Sequence, residues 1–292
     1  MFLKIKYILL SCRIEHSIKN FLIFLPLLAA NNIDIPKWSG ALIVFVCLSL
    51  ITAATYIIND IIDKKNDQLH NSKKNRPIAA DLLSIRESFV YSLILASLAL
   101  SFLLNIFSFT IIKYFFIYVI ISIFYSLFLK KIIWIDTLII SFLFVIRIIL
   151  GNIVTDIEIS YWLLSFSFSF FLMLALVKRL SELKKNRNDK ILGRGYKRKN
   201  IGQIIIFCYA LGFSSSIIWL LYSFSLSSQK LYNSSWILFL ISFLILYWVL
   251  RIIKLARLEK IGYDPVIFVL KDKYSYINIV LMIIIIIFAK FF

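Results

Sequence analysis

The sequence predicts an all-α, polytopic membrane protein with nine transmembrane helices. Three observations carry this. Hydrophobic residues make up 61% of the 292 positions and the mean hydropathy is +0.91, whereas soluble domains sit near ~45–50% apolar. Continuous apolar runs recur along the whole chain, each long enough to cross a ~30 Å hydrocarbon core as a helix. They do not alternate as barrel strands do, and in lipid only helices or closed barrels satisfy the backbone.

The spans are expected near 18–33, 40–58, 88–107, 110–128, 132–150, 160–178, 203–222, 236–253 and 275–292, the first interrupted by Pro26. The connections sort by charge. The N-terminus, the 59–87 loop, the 129–131 turn and the 178–200 and 251–274 loops together hold 28 of the 33 Lys and Arg residues; the opposite set holds only Lys37, Lys113, Lys230 and Lys290. By the positive-inside rule the N-terminus and the long loops are cytoplasmic. The same rule accounts for the net charge of +18 without nucleic acid as a partner. Cys12, Cys47 and Cys208 are scattered, which argues against a disulfide framework or a zinc site. The N-terminal stretch with Lys4, Lys6 and Arg13 lacks a small-residue cleavage site and is expected to remain in the mature protein.

Acids are scarce, 15 in the chain, yet three stand together in Asn59-Asp60-Ile61-Ile62-Asp63-Lys64-Lys65-Asn66-Asp67 at the inner end of span two. On a continuing helix Asn59, Asp60, Asp63 and Asp67 share one face. Carboxylates so placed repel one another unless a cation joins them, and hard oxygen ligands with room for water suit Mg²⁺ held between carboxylates and substrate phosphates. Asp60, Asp63 and Asp67 are therefore the expected metal ligands. Downstream, Lys73 and Arg76 can take up the remaining charge of a diphosphate, Arg76 by paired hydrogen bonds. Ordinary positive-inside charge is the alternative for Lys73.

The acid pattern, followed by Asn75-Arg76-Pro77-Ile78-Ala79, resembles the first signature of the UbiA prenyltransferase superfamily. The resemblance implies an all-helical nine-span transferase domain covering 1–292, helices around a central cavity open to the cytoplasm, a bacterial plasma-membrane location, and Mg²⁺ bound to a diphosphate. After span six most prenyl-diphosphate users carry a second acidic motif. Here stands Lys178-Arg179-Leu180-Ser181-Glu182, which resembles the branch that transfers phosphoribose to a polyprenyl phosphate, the decaprenyl-phosphate phosphoribosyltransferases. At helical spacing Glu182 can orient one base while the other faces a phosphate. Tyr125 with Lys130 and Asp136, Arg147 with Gly151, and Tyr263-Asp264-Pro265 are similar to further patterns of that branch.

That resemblance implies catalytic roles for Asp60, Asp63, Lys178 and Arg179. It implies substrate contacts for Asn59, Lys73, Arg76, Tyr125, Lys130, Arg147, Glu182 and Tyr196. Plainer roles stay open for several: an interfacial belt position for Tyr125, a helix cap for Asp136, a turn for Asp264. Arg147 lies inside a span, where a charge is costly and usually faces an interior. The implied substrates are 5-phosphoribosyl diphosphate and a polyprenyl phosphate, with membrane lipids around them and the oligomeric state open. The alternative is transfer of a polyprenyl chain from its diphosphate to an aromatic acceptor such as 4-hydroxybenzoate. A transporter or a lipid-binding protein without catalysis is a third class, but acids gathered at one interface favour surface chemistry over an ion path.

Overall fold

The computed structural model describes residues 2–69, 73–185, 191, 193–262 and 264–292. Tyr263 lies outside them. The chain forms two compact units, residues 1–132 with 143–159 and residues 133–142 with 160–292.

The first unit begins with α1 (Phe2–Cys12), which ends at Arg13, a residue in the left-handed region at φ 49°. A 3₁₀ segment (Ile14–Phe24) leads into the short α2 (Leu25–Ala29). Then comes α3 (Ile35–Gln68), whose 34 residues make it the longest helix. Pro36 stands in its first turn, where its missing N–H has no partner to lose. The next helix, α4 (Ile85–Ile106), opens on a capping box in which Ser84 and Glu87 satisfy each other's backbone N–H groups. α5 (Phe109–Leu127) follows, and a 3₁₀ turn (Leu129–Lys131) precedes α6 (Ile135–Thr155). The core of the unit is built from Leu27, Val44, Leu48, Leu103, Phe115 and Leu150.

The second unit takes the first turns of α6 and adds α7 (Tyr161–Lys185), α8 (Ile201–Ser223), α9 (Leu226–Gln229), α10 (Phe239–Arg257), α11 (Pro265–Val269) and α12 (Lys273–Phe291). Met173, Val177, Leu180, Ile204, Val249 and Ile252 fill its core. Asp272 caps α12 through the Ser275 N–H at 2.9 Å and accepts two bonds from Arg251 of α10, at 2.6 and 2.8 Å. Those bonds hold its carboxyl below the usual range.

Among the described residues eight helices are long and apolar enough to cross a membrane, and the protein is a multi-pass membrane protein. They match the second to ninth expected spans. The first differs: Ser17–Ala29 is apolar but shorter. Pro26 offers no N–H to the carbonyl four residues back, and the chain changes there from 3₁₀ to α geometry. A second difference bears on the site. α3 runs on to Gln68 and α7 to Lys185, so the stretches read as loop beginnings are helical and the residue spacings argued from helical geometry apply.

Gly151 permits a close approach within the first unit. A Cβ there would collide with the Ile23 carbonyl oxygen and stand 3.1 Å from Pro26 Cδ. Backbone cannot yield as a side chain can. Gly151→Ala should therefore destabilise the protein by roughly 1–3 kcal/mol, read as a lower melting temperature in detergent. An unchanged melting temperature would contradict this packing.

Candidate functional site

The acid-bearing end of α3 is built from one helix face and three cations brought to it from elsewhere in the first unit. Asp60 is 2% exposed. Its Oδ1 accepts from Arg13 Nη2 and, at 3.3 Å, from Arg76 Nη1. The same Arg76 nitrogen donates to Asp67 Oδ2 at 2.5 Å. Asp63 is engaged separately, by Lys130 Nζ at 2.6 and 2.7 Å, and Lys130 also reaches Asn59 Oδ1 at 3.2 Å. Three carboxylates thus meet three cations, and none turns out into bulk water.

Local sequence explains how each cation arrives. Arg76 precedes Pro77, whose carbonyl accepts from the Leu82 and Leu83 N–H groups at 2.9 and 3.2 Å. That compact turn is anchored by Ile78 and Leu83, buried with Ile57 and Ala53 of α3. Gln68 Nε2 ties the end of α3 to the Ala79 carbonyl at 3.1 Å. The Arg-Pro-Ile-Ala segment therefore works as a clip that aims Arg76 back at the helix it follows. Lys130 is buried in the 3₁₀ turn after α5. Arg13 comes from the left-handed junction that closes α1, and its guanidinium lies 5.3 Å from the centroid of the Tyr56 ring, one turn from Asp60. Lys73 is half-buried at the start of the short turn before Arg76, and Tyr125 is half-buried in the last turn of α5.

Can these residues hold a divalent cation? Asp60 and Asp67 already point oxygens at a single Arg76 nitrogen, so their lone pairs converge where positive charge sits. All the donors are hard oxygens, the set that suits Mg²⁺. Among the described residues no three acidic, His or Cys side chains close around one point, because Asp63 is turned to Lys130. The donor set fits a cation carried with a substrate's own oxygens better than a closed protein cage.

The second unit holds the other set of site residues. Arg179 is fully buried. It donates through Nε to Asp136 Oδ2 at 2.5 Å, through Nη2 to Asp136 Oδ1 at 3.2 Å and through Nη1 to Glu182 Oε2 at 2.5 Å. Arg194 Nη1 also bonds Asp136 Oδ1. Asp136 is thus the shared anion of two arginines and more than a cap. Lys178 Nζ lies 3.2 Å from Asp264 Oδ2, and Asp264 Oδ1 caps α11 through the Val266 N–H at 3.0 Å. The Tyr196 hydroxyl accepts from the Trp134 N–H at 3.1 Å and lies 3.3 Å from Thr137 Oγ1. Burial pushes that phenol up from its ordinary value, so it serves as a neutral hydrogen-bonding post for the start of α6. Arg147 belongs to the first unit and lies apart from the acids, bonded to Asn20, Tyr118 and the Leu143 carbonyl.

Two residues escaped the sequence argument. Arg13 reads only as one of the N-terminal bases, and Arg194 as one of many bases in its loop. Nothing in local spacing singles out either; the signal for Arg13 is long-range, a carboxylate 47 positions away.

Among the described residues, eight helices long and apolar enough to cross a membrane define a multi-pass membrane protein, and a cation-matched row of acids stands at the end of one of them. Residues 20–271 match the UbiA prenyltransferase family, and the chain belongs to it. The uncharacterized protein y4nM of Sinorhizobium fredii is 32% identical over 273 residues, which is 90% of this chain and 52% of that protein. The chain therefore spans about half the length of that curated relative. Nodulation protein NoeC of Azorhizobium caulinodans is 28% identical over 218 residues, 71% of this chain and 68% of that one. The decaprenyl-phosphate phosphoribosyltransferase of Mycolicibacterium smegmatis is 34% identical over 146 residues, 49% and 44% of the two chains. Among solved structures, a UbiA homolog from Archaeoglobus fulgidus bound to GPP and Mg²⁺ shares the fold, with a TM-score of 0.63 at 16% identity over 87% of this chain and 98% of that one.

Asp136→Asn would leave two arginines, one of them fully buried, sharing a neutral amide. Removing one partner of a buried ion pair typically costs about 3–5 kcal/mol. A marked loss of thermal stability is expected by size-exclusion melting in detergent. Melting equal to that of the parent protein would show that the network carries no such weight.

Proposed function

We propose that this protein is a Mg²⁺-dependent transferase that moves 5-phosphoribose from 5-phosphoribosyl diphosphate to a polyprenyl phosphate and releases diphosphate. The observation that carries the reading is the character of α7. Where users of prenyl diphosphate are expected to show a second acid cluster, this helix ends in Lys178 and Arg179 with Glu182. A donor bearing a phosphate besides its diphosphate calls for cations there. The partial likeness to a decaprenyl-phosphate phosphoribosyltransferase supports the same reading.

Asp60, Asp67 and Asp63 would hold the cation, with Asn59 beside them. When bound, Mg²⁺ neutralises a diphosphate and eases its departure. Arg13, Arg76 and Lys130 pair with the same carboxylates and, with Lys73, would be the bases that bind the diphosphate oxygens. Lys178, 30% exposed in its side chain, is the α7 cation suited to reach a phosphate. Arg179 is already matched by Asp136 and Glu182 and acts as a positioning residue for that helix end. Tyr196 fixes the adjoining segment, and Tyr125, in the last turn of α5, would contact the substrate. In the reaction the bond from ribose C1 to the diphosphate oxygen breaks and a bond from C1 to an oxygen of the lipid phosphate forms. The attacking phosphate is anionic at neutral pH, its second pKa lying near ~6, so no strong general base is needed.

The bias of bases toward one set of loops supports an orientation with the acid-bearing end of α3 and the N-terminus in the cytoplasm of a bacterial plasma membrane. A water-soluble phosphorylated donor would be met on that side. The second reading, prenyl transfer to an aromatic acceptor, is favoured by the Archaeoglobus homolog's GPP and Mg²⁺.

Purified protein offered labelled phosphoribosyl diphosphate with polyprenyl phosphate, or prenyl diphosphate with 4-hydroxybenzoate, separates the two. Product is expected from the first pair only; product from the second alone overturns the proposal. Asp60→Asn and Asp63→Asn should each lower kcat/KM at least ~100-fold, as loss of one electrostatic stabiliser does elsewhere; Asp63→Asn, at a side chain 18% exposed, should elute and melt near the parent, whereas Asp60→Asn, which strips the buried partner of Arg13 and Arg76, should also lower the melting temperature. Turnover that survives both substitutions and chelation of divalent ions would remove the enzyme reading.

A further inference from the structure

A second polar station lies in the first unit, deeper along α3 than the acids. Arg147 is 5% exposed. Its Nε donates to Asn20 Oδ1 at 2.9 Å, its Nη2 to the Tyr118 hydroxyl at 2.8 Å and its Nη1 to the Leu143 carbonyl. The guanidinium carbon stands 5.0 Å from the Tyr118 ring centroid and 5.5 Å from that of Phe144. Asn20 donates onward to Ser49 Oγ at 3.0 Å and Thr52 Oγ1 at 3.3 Å, both on α3.

Every partner of this buried cation is a neutral oxygen. Arg13, Arg76 and Arg179 each meet a carboxylate, and among the described residues Arg147 meets none. A guanidinium carries five N–H donors; three are committed here, which leaves two. A buried charge without a counter-ion is expensive, and more so within a membrane span. A brace between helices could be made from a neutral side chain at far less cost. A fixed positive charge with spare donors in an apolar setting is what an anion arriving from the bilayer needs. Lys19, whose Nζ lies 6.0 Å from the centroid of that same Phe144 ring, adds a second positive charge.

Position narrows the choice of anion. Thr52 precedes Asp60 by eight residues of one helix, a rise of ~12 Å. Polar residues Ser49, Thr52, Tyr56, Asp60, Asp63 and Asp67 recur at helical spacing between the two stations, a continuous stripe on α3. Yet Arg147 stands in the middle of the apolar α6, against the Tyr118 and Phe144 rings and in the unit that Ile146 and Leu150 help to fill, not in the basic loops that suit a water-soluble donor. We propose that Arg147, set by Asn20 and Tyr118, is the subsite for the phosphate of the polyprenyl phosphate acceptor. Its two spare N–H groups take phosphate oxygens, and the isoprenoid chain lies in those apolar surroundings. This rests on the phosphoribosyl-transfer reading and deepens it, because it separates the acceptor's phosphate from the donor's.

The test is equilibrium binding to the full-length protein in lipid nanodiscs, with four probes: polyprenyl phosphate, neutral polyprenol, inorganic phosphate, and phosphoribosyl diphosphate with Mg²⁺. Arg147→Met should weaken polyprenyl phosphate about 10-fold or more, the worth of a charge-assisted hydrogen bond. Binding of polyprenol and of phosphoribosyl diphosphate should stay unchanged. Arg147→Lys should recover part of the loss, since the charge returns but not the planar fork. If Arg147→Met does not yield folded protein, Asn20→Ala, which frees the guanidinium from its guide, should show the same selectivity. Equal weakening of lipid phosphate and donor, or no weakening of either, overturns the proposal. So does inorganic phosphate that matches the lipid in affinity and in its loss with Arg147→Met, which would mark a generic anion site. Because binding is read without turnover, absent phosphoribosyl transfer alongside intact Arg147 selectivity would sink the reaction assignment and leave this subsite standing.

Discussion

The structure of the first unit depends on how three carboxylates on a membrane-crossing helix are kept company. Asp60, Asp63 and Asp67 lie on one face of α3, and two of them are almost wholly withdrawn from solvent. Charges so buried persist only when paired and hydrogen-bonded. Much of the local architecture serves that need: the left-handed end of α1 that delivers Arg13, the Pro77 turn that folds Arg76 back, and the turn after α5 that buries Lys130. Arg76 is the hinge of the arrangement, since one of its nitrogens is shared by Asp60 and Asp67. Cations held by shared, single-nitrogen contacts are easier to displace than closed bidentate pairs, and this supports the proposal that the acids exchange protein partners for a metal and a substrate.

The second unit solves a similar problem with the opposite bias. Arg179 is locked by two carboxylates, and Asp136 is shared by Arg179 and Arg194. Such a network orders the end of α7 and ties it to Arg194. Lys178, 3.2 Å from the helix-capping Asp264, keeps 30% of its side chain exposed.

How much of this was legible beforehand follows from the range of each interaction. Spans two to nine were readable because long apolar runs in a ~30 Å medium leave few alternatives. The shared face of Asp60, Asp63 and Asp67 was readable because helical spacing is local. The first span is shorter than expected, Ser17–Ala29; its interruption at Pro26 was legible, but the 3₁₀ geometry of Ile14–Phe24 before it leaves no mark on hydropathy. The partners were the least legible part. That Arg13 reaches Asp60, that Lys130 takes Asp63, and that Asp136 gathers Arg179 with Arg194 are facts of tertiary packing between distant positions. That Arg179 is buried and paired with Asp136 and Glu182 was likewise beyond local spacing.

The central claim is that the α3 acids trade their arginines for a divalent ion when a diphosphate is present. Mn²⁺ titration of the protein in nanodiscs, followed by the electron paramagnetic resonance of the free ion, addresses it directly. The account predicts tight, near-stoichiometric uptake that requires a diphosphate ligand and disappears in the Asp60→Asn/Asp67→Asn double variant. Uptake that is independent of diphosphate and unaffected by that double substitution would contradict it.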